Sequence, residues 1–277
     1  MRGLRDKVAI VAGAAPGNIG GATALRLGQE GMKVTAADFN EAAARAVVDQ
    51  IKSAGGHAVA RAFDITKEAS YEQLIDFTVK EFGGLDGLFN VAADLSVNNI
   101  RRDTDVTSVP LDVWQHTIDV TLTGYMYGVR HALPLLIKRG GGVIVNTTSS
   151  EVWMGEDVRV AYQTAKSGLI GLTRHTATLG GKHGVRCNLL APGFTLTKAA
   201  YDNTTEEYRK QMLASVRSPR LGAPEDIAAM VAFLFSDVGA YKQNRAPSVG
   251  EEAKVANADE ALRARDSHYW QFACSCP

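Results

Sequence analysis

The feature that most constrains this 277-residue chain is an alternation: short β-rich runs, several free of charge, each followed by a helix-length segment. "KVAIVAG" (7–13), "KVTAAD" (33–38), "HAVARAFD" (57–64), "GLFNVAA" (87–93), "GGVIVNTTS" (141–149) and "VRCNLLAPG" (185–193) read as strands. Residues 20–29, 41–54, 71–81, 113–138 and 162–183 read as helices between or after them. Such alternation predicts an α/β fold with a parallel sheet covered by helices on both faces. Strand segments such as "VAIVAG" and "VIVN" fit burial on both sides. The length is within reach of one α/β unit, and no interdomain linker interrupts the pattern. The expected domain is therefore 1–240. From about Tyr241 the pattern stops, so 241–277 is expected to be an atypical C-terminal tail. Residues 251–265 could form an Ala-rich helix there, and no clear further strand is legible.

Composition excludes several functions. Thirty basic residues balance thirty acidic ones with no charge block, which argues against a nucleic-acid or anionic-membrane partner. No apolar run approaches the ~18 residues of a membrane span, and "MRGLRDKVAIVAG" meets charge and glycine too early for a signal peptide. Cys187, Cys274 and Cys276 are an odd set with no disulfide framework, the last two in a terminal "CSC". A reduced, cytoplasmic protein with one buried thiol is the expectation. No His/Cys set has zinc spacing, so no metal is expected.

The first strand runs into "VAGAAPGNIGGATALRL", which opens a helix. Gly13, Gly17 and Gly20, with Asn18 and Ile19 beside them, let the backbone turn tightly and approach a pyrophosphate at the helix N-terminus. The spacing is G-x3-G-x2-G rather than the common G-x-G-x-x-G, and a purely structural turn would also explain it. Asp38 ends the second strand, where a carboxylate accepts hydrogen bonds from an adenosine ribose and repels a 2′-phosphate. No cation stands beside it at Phe39, so NAD(H) is favoured over NADP. Helix capping within "DFNEAA" is the competing reading of Asp38.

"AYQTAKSGLIGLTRH" (161–175) places Tyr162 and Lys166 one helical turn apart on one face. Together with the glycine turn, "NVAA" (90–93), "NTTSS" (146–150) and "APGFTLT" (191–197), it makes the chain resemble a short-chain dehydrogenase/reductase over about residues 5–240. The resemblance implies a Rossmann-type doubly wound sheet, a homodimer or homotetramer, and hydride transfer between nicotinamide and an alcohol or carbonyl carbon. It assigns Ser149, Tyr162 and Lys166 to catalysis, with Ser149 on the substrate oxygen, and counts Tyr162 and Lys166 also among the cofactor-binding residues, Lys166 on the nicotinamide ribose. A free phenol has a pKa of ~10. Positive charge from Lys166 and an oxidised nicotinamide is expected to lower that of Tyr162, a drop of about three units requiring roughly 4 kcal/mol. Tyr162 would then take or give the alcohol proton. The resemblance further places Asp64 and Ile65 at the adenine, and Asn90 and Ala92 along the adenosine ribose. Pro192, Gly193, Thr195 and Thr197 fall near the nicotinamide carboxamide. A strand end and a tight turn also account for Asn90 and Pro192.

Three departures stand out. Thr121, in "DVTLTG", occupies the place of the family's usual asparagine, which helps hold a water between the catalytic lysine and solvent. Val91 and Ala93 replace an asparagine and a glycine of the usual "NNAG". The last strand and its glycine-rich turn are missing after "FLFSD", which would leave the sixth strand with an open edge. Loops 94–105, 151–161 and 194–219 are expected to choose the substrate. Trp153, Met154, Phe194, Tyr201 and Met212 could line an apolar pocket or equally pack a core or subunit interface; together they suggest a fairly hydrophobic ketone or secondary alcohol, while Asp119, His116 and His131 read as surface or interface residues. The alternative to an enzyme is a non-catalytic nucleotide-binding regulator or scaffold built on the same fold.

Overall fold

A computed structural model describes residues 1–241 and the strand pair 248–249. In chain order the elements are β1 (Val8–Ala12), α1 (Ile19–Gln29), β2 (Lys33–Asp38), α2 (Glu41–Ser53), β3 (His57–Ala62), α3 (Glu68–Phe82) and β4 (Gly87–Asn90). There follow α4 (Val97–Arg102), α5 (Leu111–Ile118), α6 (Gly124–Arg139), β5 (Gly142–Thr147), α7 (Val160–Gly181) and β6 (Val185–Pro192). The chain continues through α8 (Lys198–Asn203), α9 (Glu206–Ser215), α10 (Pro224–Phe235) and β7 (Ser248–Val249). Cys274, Cys276 and the possible helix 251–265 lie outside the described residues.

The strands are parallel in the order β3-β2-β1-β4-β5-β6-β7. This is the expected Rossmann-type doubly wound sheet, and the strand order reverses between β1 and β4. Side chains alternate across it. Ala9, Val11, Phe89 and Val145 join one core with α1, α2 and α10. Ile10, Ala12, Leu88 and Ile144 join the other with α3, α6 and α7. Both faces are dry, which explains why the central strands carry so little charge.

One expectation is refined and another corrected. The segment read as one helix, 113–138, is helical throughout, α5 running into α6 through a π-helical turn, Asp119–Thr123, in which Thr121 is buried. The sixth strand is not left entirely open, because Ser248 and Val249 pair with Ala191 and Pro192. A two-residue strand between Pro247 and Gly250 is too short to show an alternating pattern, so the sequence could not reveal it.

The glycine turn after β1 is closed to side chains. A Cβ on Gly20 would sit 2.0 Å from the Gly13 carbonyl oxygen, and Gly13 itself has φ +110°. Gly20→Ala is therefore expected to push α1 off the turn, costing about 1–3 kcal/mol in a denaturant melt.

Candidate active site

A cavity of about 710 Å³ opens where the strand order reverses, the usual place for a ligand in a doubly wound sheet. Gly13, Asn18, Ile19, Gly20, Asp38, Asp64, Ile65, Ala92 and Thr197, all among the residues expected to bind a cofactor, line it. Asn18 fixes the turn at both ends. Its Oδ1 accepts the Gly21 N–H (2.7 Å), capping α1, and its Nδ2 donates to the Gly13 carbonyl (3.3 Å). Gly17 is held differently: its carbonyl accepts the Lys198 N–H (2.9 Å), tying the turn to the start of α8.

Asp38 closes the cavity beyond β2. Burial raises its pKa, against the Asn40 and Phe39 amides that lower it. The helix cap of α2 is Asn40 rather than Asp38, although Asp38 accepts the Asn40 N–H at 3.0 Å. Asp64 accepts from both the N–H and the hydroxyl of Thr66 (2.9 and 2.7 Å). Among the described residues, the wall holds the carboxylates Asp38, Asp64 and Asp94 and no lysine or arginine.

The remaining predicted cofactor residues lie elsewhere. Asn90 is fully buried and points into the sheet, where its Oδ1 accepts from Tyr71 Oη and its Nδ2 donates to Asn146 Oδ1 (2.9 Å). Asn146 passes the chain on to Thr173 of α7 (3.1 Å), so these residues brace α3, the sheet and α7 together. Pro192 ends β6, and Gly193 accepts the Thr195 hydroxyl at 3.0 Å. None of Pro192, Gly193 and Thr195 is on the cavity wall, whereas Thr197 both lines it and caps α8 by accepting the Ala200 N–H (3.1 Å).

Ser149, Tyr162 and Lys166 come together at the C-terminal end of β5. Ser149 follows the strand, and its side chain hydrogen-bonds that of Tyr162. Lys166 lies a turn below, 2% exposed, with Nζ 5.6 Å from the Tyr162 ring centroid and 5.3 Å from that of Tyr125. Its ammonium donates to the Thr147 carbonyl (2.6 Å). The three do not line the large cavity, but Asp94 and Leu95 border both it and the small space beside Tyr162.

Burial dominates the electrostatics of the cluster. Burial pushes the Lys166 pKa down to about 7, opposed by the charge of Glu151, so near neutrality its own cationic form is only partly populated. Burial chiefly raises the pKa of Tyr162, with Glu151 adding to the rise. The cation that lowers it is Arg159, whose guanidinium lies 5.4 Å from the ring centroid, and the Ser149 hydrogen bond acts in the same direction. Arg159 is paired in turn with Glu151 and with Glu156 (3.4 Å). The phenol is thus held in its protonated form near neutral pH.

The architecture has known counterparts. Residues 13–243 match the family model described as enoyl-(acyl carrier protein) reductase. The 7α-hydroxysteroid dehydrogenase of Bacteroides fragilis is 36% identical over 241 residues, 87% of this chain and 92% of that relative. The chain belongs to the short-chain dehydrogenase/reductase family. It is similar also to the cyclohexanol dehydrogenase of an Acinetobacter species, 34% identical over 86% of this chain and 91% of that one. A solved 7α-hydroxysteroid dehydrogenase, complexed with NADH and 7-oxo glycochenodeoxycholic acid, matches with a TM-score of 0.81 at 30% identity. That match covers 89% of this chain and 94% of the other.

This short-chain dehydrogenase/reductase is accordingly an oxidoreductase, and it holds site features that its sequence did not disclose. His116 is not merely a surface residue: its Nε2 lies 3.0 Å from Asp94 Oδ2, and both residues border the cavity. His131 and Arg130 pair with Glu68, and Asp119 accepts from Gln115, as expected of surface groups. Phe194 packs edge-on against Tyr208 (5.8 Å), and Tyr201, 58% exposed, lies under the Arg209 guanidinium (4.5 Å). None of Trp153, Met154, Phe194, Tyr201 and Met212 touches the large cavity. Cys187 is buried and burial pushes its thiol up to about 12, so it is unreactive at neutral pH. Among the described residues no helix is long and apolar enough to cross a membrane.

Proposed function

We propose that the chain is an NAD(H)-dependent alcohol dehydrogenase/carbonyl reductase, interconverting a secondary alcohol and a ketone with Tyr162 as the acid/base group. Residues 1–240 carry the activity as one unit, in a cytoplasmic homodimer or homotetramer. The observation that carries this reading is the hydrogen-bonded Ser149–Tyr162 pair above a buried Lys166, beside a cavity whose wall continues to the glycine turn.

The residues present fit a dinucleotide. The turn at Gly13–Gly20 has no room for a Cβ, and α1 begins there with its first amides directed toward its N-terminal side. Asp38, Asp64, Ile65, Ala92 and Thr197 all line the cavity, which supports a reading in which Asp38 meets a ribose, Asp64 and Ile65 the adenine, Ala92 the adenosine ribose and Thr197 the nicotinamide carboxamide. A wall with three carboxylates and no lysine or arginine supports NAD(H), because a 2′-phosphate near Asp38 would meet like charge. Bound there, the nicotinamide supplies or accepts the hydride, and its oxidised ring adds positive charge to the site.

The chain's own part is proton handling. In the reductive direction Tyr162 Oη gives its proton to the carbonyl oxygen while Ser149 hydrogen-bonds that oxygen; in the oxidative direction the proton returns. Its raised pKa keeps Tyr162 protonated near neutral pH but makes it a weaker acid, so the positive charge that Arg159 brings beside the ring works in favour of proton transfer. Lys166, with a pKa of about 7, carries partial charge beneath the ring. The named activities of the relatives, on a 7α-hydroxysteroid and on cyclohexanol, support a fairly hydrophobic carbocyclic alcohol as the substrate class.

The test is titration of the full chain with NADH and NADPH, followed by nicotinamide fluorescence, for wild type and Asp38→Ala. Wild type is expected to prefer NADH by roughly ten-fold or more, about 1.4 kcal/mol. Asp38→Ala should narrow that gap from both sides. A wild-type preference for NADPH would overturn the role given to Asp38.

A further inference from the structure

The first four amide N–H groups of a helix have no partners within it, and the side chain of its own N-cap residue usually takes one. In α7 the N-cap is Arg159, in the left-handed conformation (φ 61°, ψ 41°) and without a side-chain cap hydrogen bond. All four donors instead reach across to one short turn after α4. The Arg159 N–H donates to the Asp103 carbonyl (2.8 Å), and the Val160 N–H to the Thr104 carbonyl (3.2 Å). The Ala161 N–H donates to Asp103 Oδ1 and the Tyr162 N–H to Asp103 Oδ2, each at 2.9 Å. Asp103 is 3% exposed, and its negative charge sits at the positive end of the helix dipole.

We propose that Asp103 is a positioning residue for the reaction. By holding the amides of Ala161 and Tyr162 it fixes where α7 begins, and with that where the phenol stands relative to Ser149 and the cavity wall. This rests on the reading of Tyr162 as the acid/base group.

Two observations separate this role from that of an ordinary cap. First, Asp103 ends the segment that walls the site. Ser96 lines the large cavity and caps α4, and Asp94 and Leu95 border both that cavity and the space beside Tyr162. One carboxylate therefore joins the cofactor-facing wall to the helix that bears the phenol. Second, the backbone it holds includes that of Arg159, the cation that lowers the Tyr162 pKa. A non-glycine residue at positive φ carries a conformational cost, and here the Asp103 and Thr104 carbonyls hold it there.

Asp103→Asn tests the proposal. An amide offers one acceptor oxygen where the carboxylate offers two, so one first-turn N–H faces an NH₂ group. At a temperature where the variant is folded, kcat for ketone reduction per folded molecule is expected to fall about ten- to a hundred-fold, as a misplacement near 1 Å would produce. The Kd for NADH should stay within about two-fold, since Asp103 is not on the cavity wall. In a Tyr162→Phe background the same substitution should add little further loss, because the group it positions is gone. Asp103→Ser, a good capping type, provides the same per-folded-molecule comparison with a second side chain and covers poor folding of the Asn variant. Wild-type kcat in folded Asp103→Asn and Asp103→Ser, with Tyr162→Phe inactive, would overturn this proposal alone. Full activity in Tyr162→Phe would overturn the underlying reading as well.

Discussion

Tyr162→Phe is expected to reduce kcat for ketone reduction by about 10²–10⁴-fold, the range typical of a lost general acid. The substitution removes one oxygen and keeps the ring, so its contacts with Arg159 and Lys166 persist. The Ser149 hydroxyl remains as a donor to the substrate oxygen, which explains why some turnover should survive. NADH affinity should hardly change, because Tyr162 does not line the large cavity. Parallel measurement of kcat and of NADH binding separates the two effects. Equal turnover by wild type and variant would remove Tyr162 from the proton path.

Lys166→Met should be more stable than wild type below pH 7 and lose that advantage as the pH rises toward 10. The sign follows from the direction of the shift. In the folded chain burial holds the Lys166 pKa near 7, against 10.5 for the ordinary side chain. Below pH 7 the amine is charged in both states, and the folded protein bears the full cost of burying that charge. Between about pH 7 and 10.5 the unfolded chain binds more protons than the folded one, so wild-type stability rises with pH relative to the variant. One pKa unit is about 1.4 kcal/mol, and relaxation around the buried charge reduces the full shift, so a difference of a few kcal/mol at pH 6 is expected. Above pH 10 the wild type should have the advantage, because the neutral amine keeps its bond to Thr147, about 1 kcal/mol. Denaturant melts at pH 6, 8 and 10 check this. A gap that is constant across the series would mean that Lys166 does not titrate in that window. Turnover should be lost at every pH.

The parts of the fold that local sequence could reveal are those with a strong local signal. Strands such as Val8–Ala12 and Gly142–Thr147 read correctly to within a residue or two, because burial on both faces leaves an apolar run. The glycine turn was legible because backbone crowding at Gly13 and Gly20 restricts those positions to glycine. The π-helical turn at Asp119–Thr123 was not, since its residues keep the hydrophobic spacing of the helices around it. At the site, the spacing of Tyr162 and Lys166 gave their shared face but not their burial. It therefore suggested positive charge from Lys166 and an oxidised nicotinamide beside the phenol, and could not show that desolvation by itself holds Lys166 near 7 and raises Tyr162. Arg159 and Glu151 lay within the expected substrate loop, and only the folded chain shows them paired beside the ring. Asp103 could not have been found locally at all, being 58 positions from the Ala161 amide it holds. Asn90 shows the same limit from the other side: the motif placed it at the strand end, but its direction follows from the buried chain through Tyr71 and Asn146.

Hydride transfer between nicotinamide and a secondary carbon is the reaction proposed for this short-chain dehydrogenase/reductase. It is tested most directly by incubating the full chain with NADH deuterated at the transferring position and a panel of cyclic ketones that includes 7-oxo steroids. The expected product is a secondary alcohol carrying one deuterium on the carbinol carbon, formed by wild type and nearly absent with Tyr162→Phe. NADH that binds tightly while no ketone gains deuterium would contradict it, and would leave a nucleotide-binding protein that does not turn over.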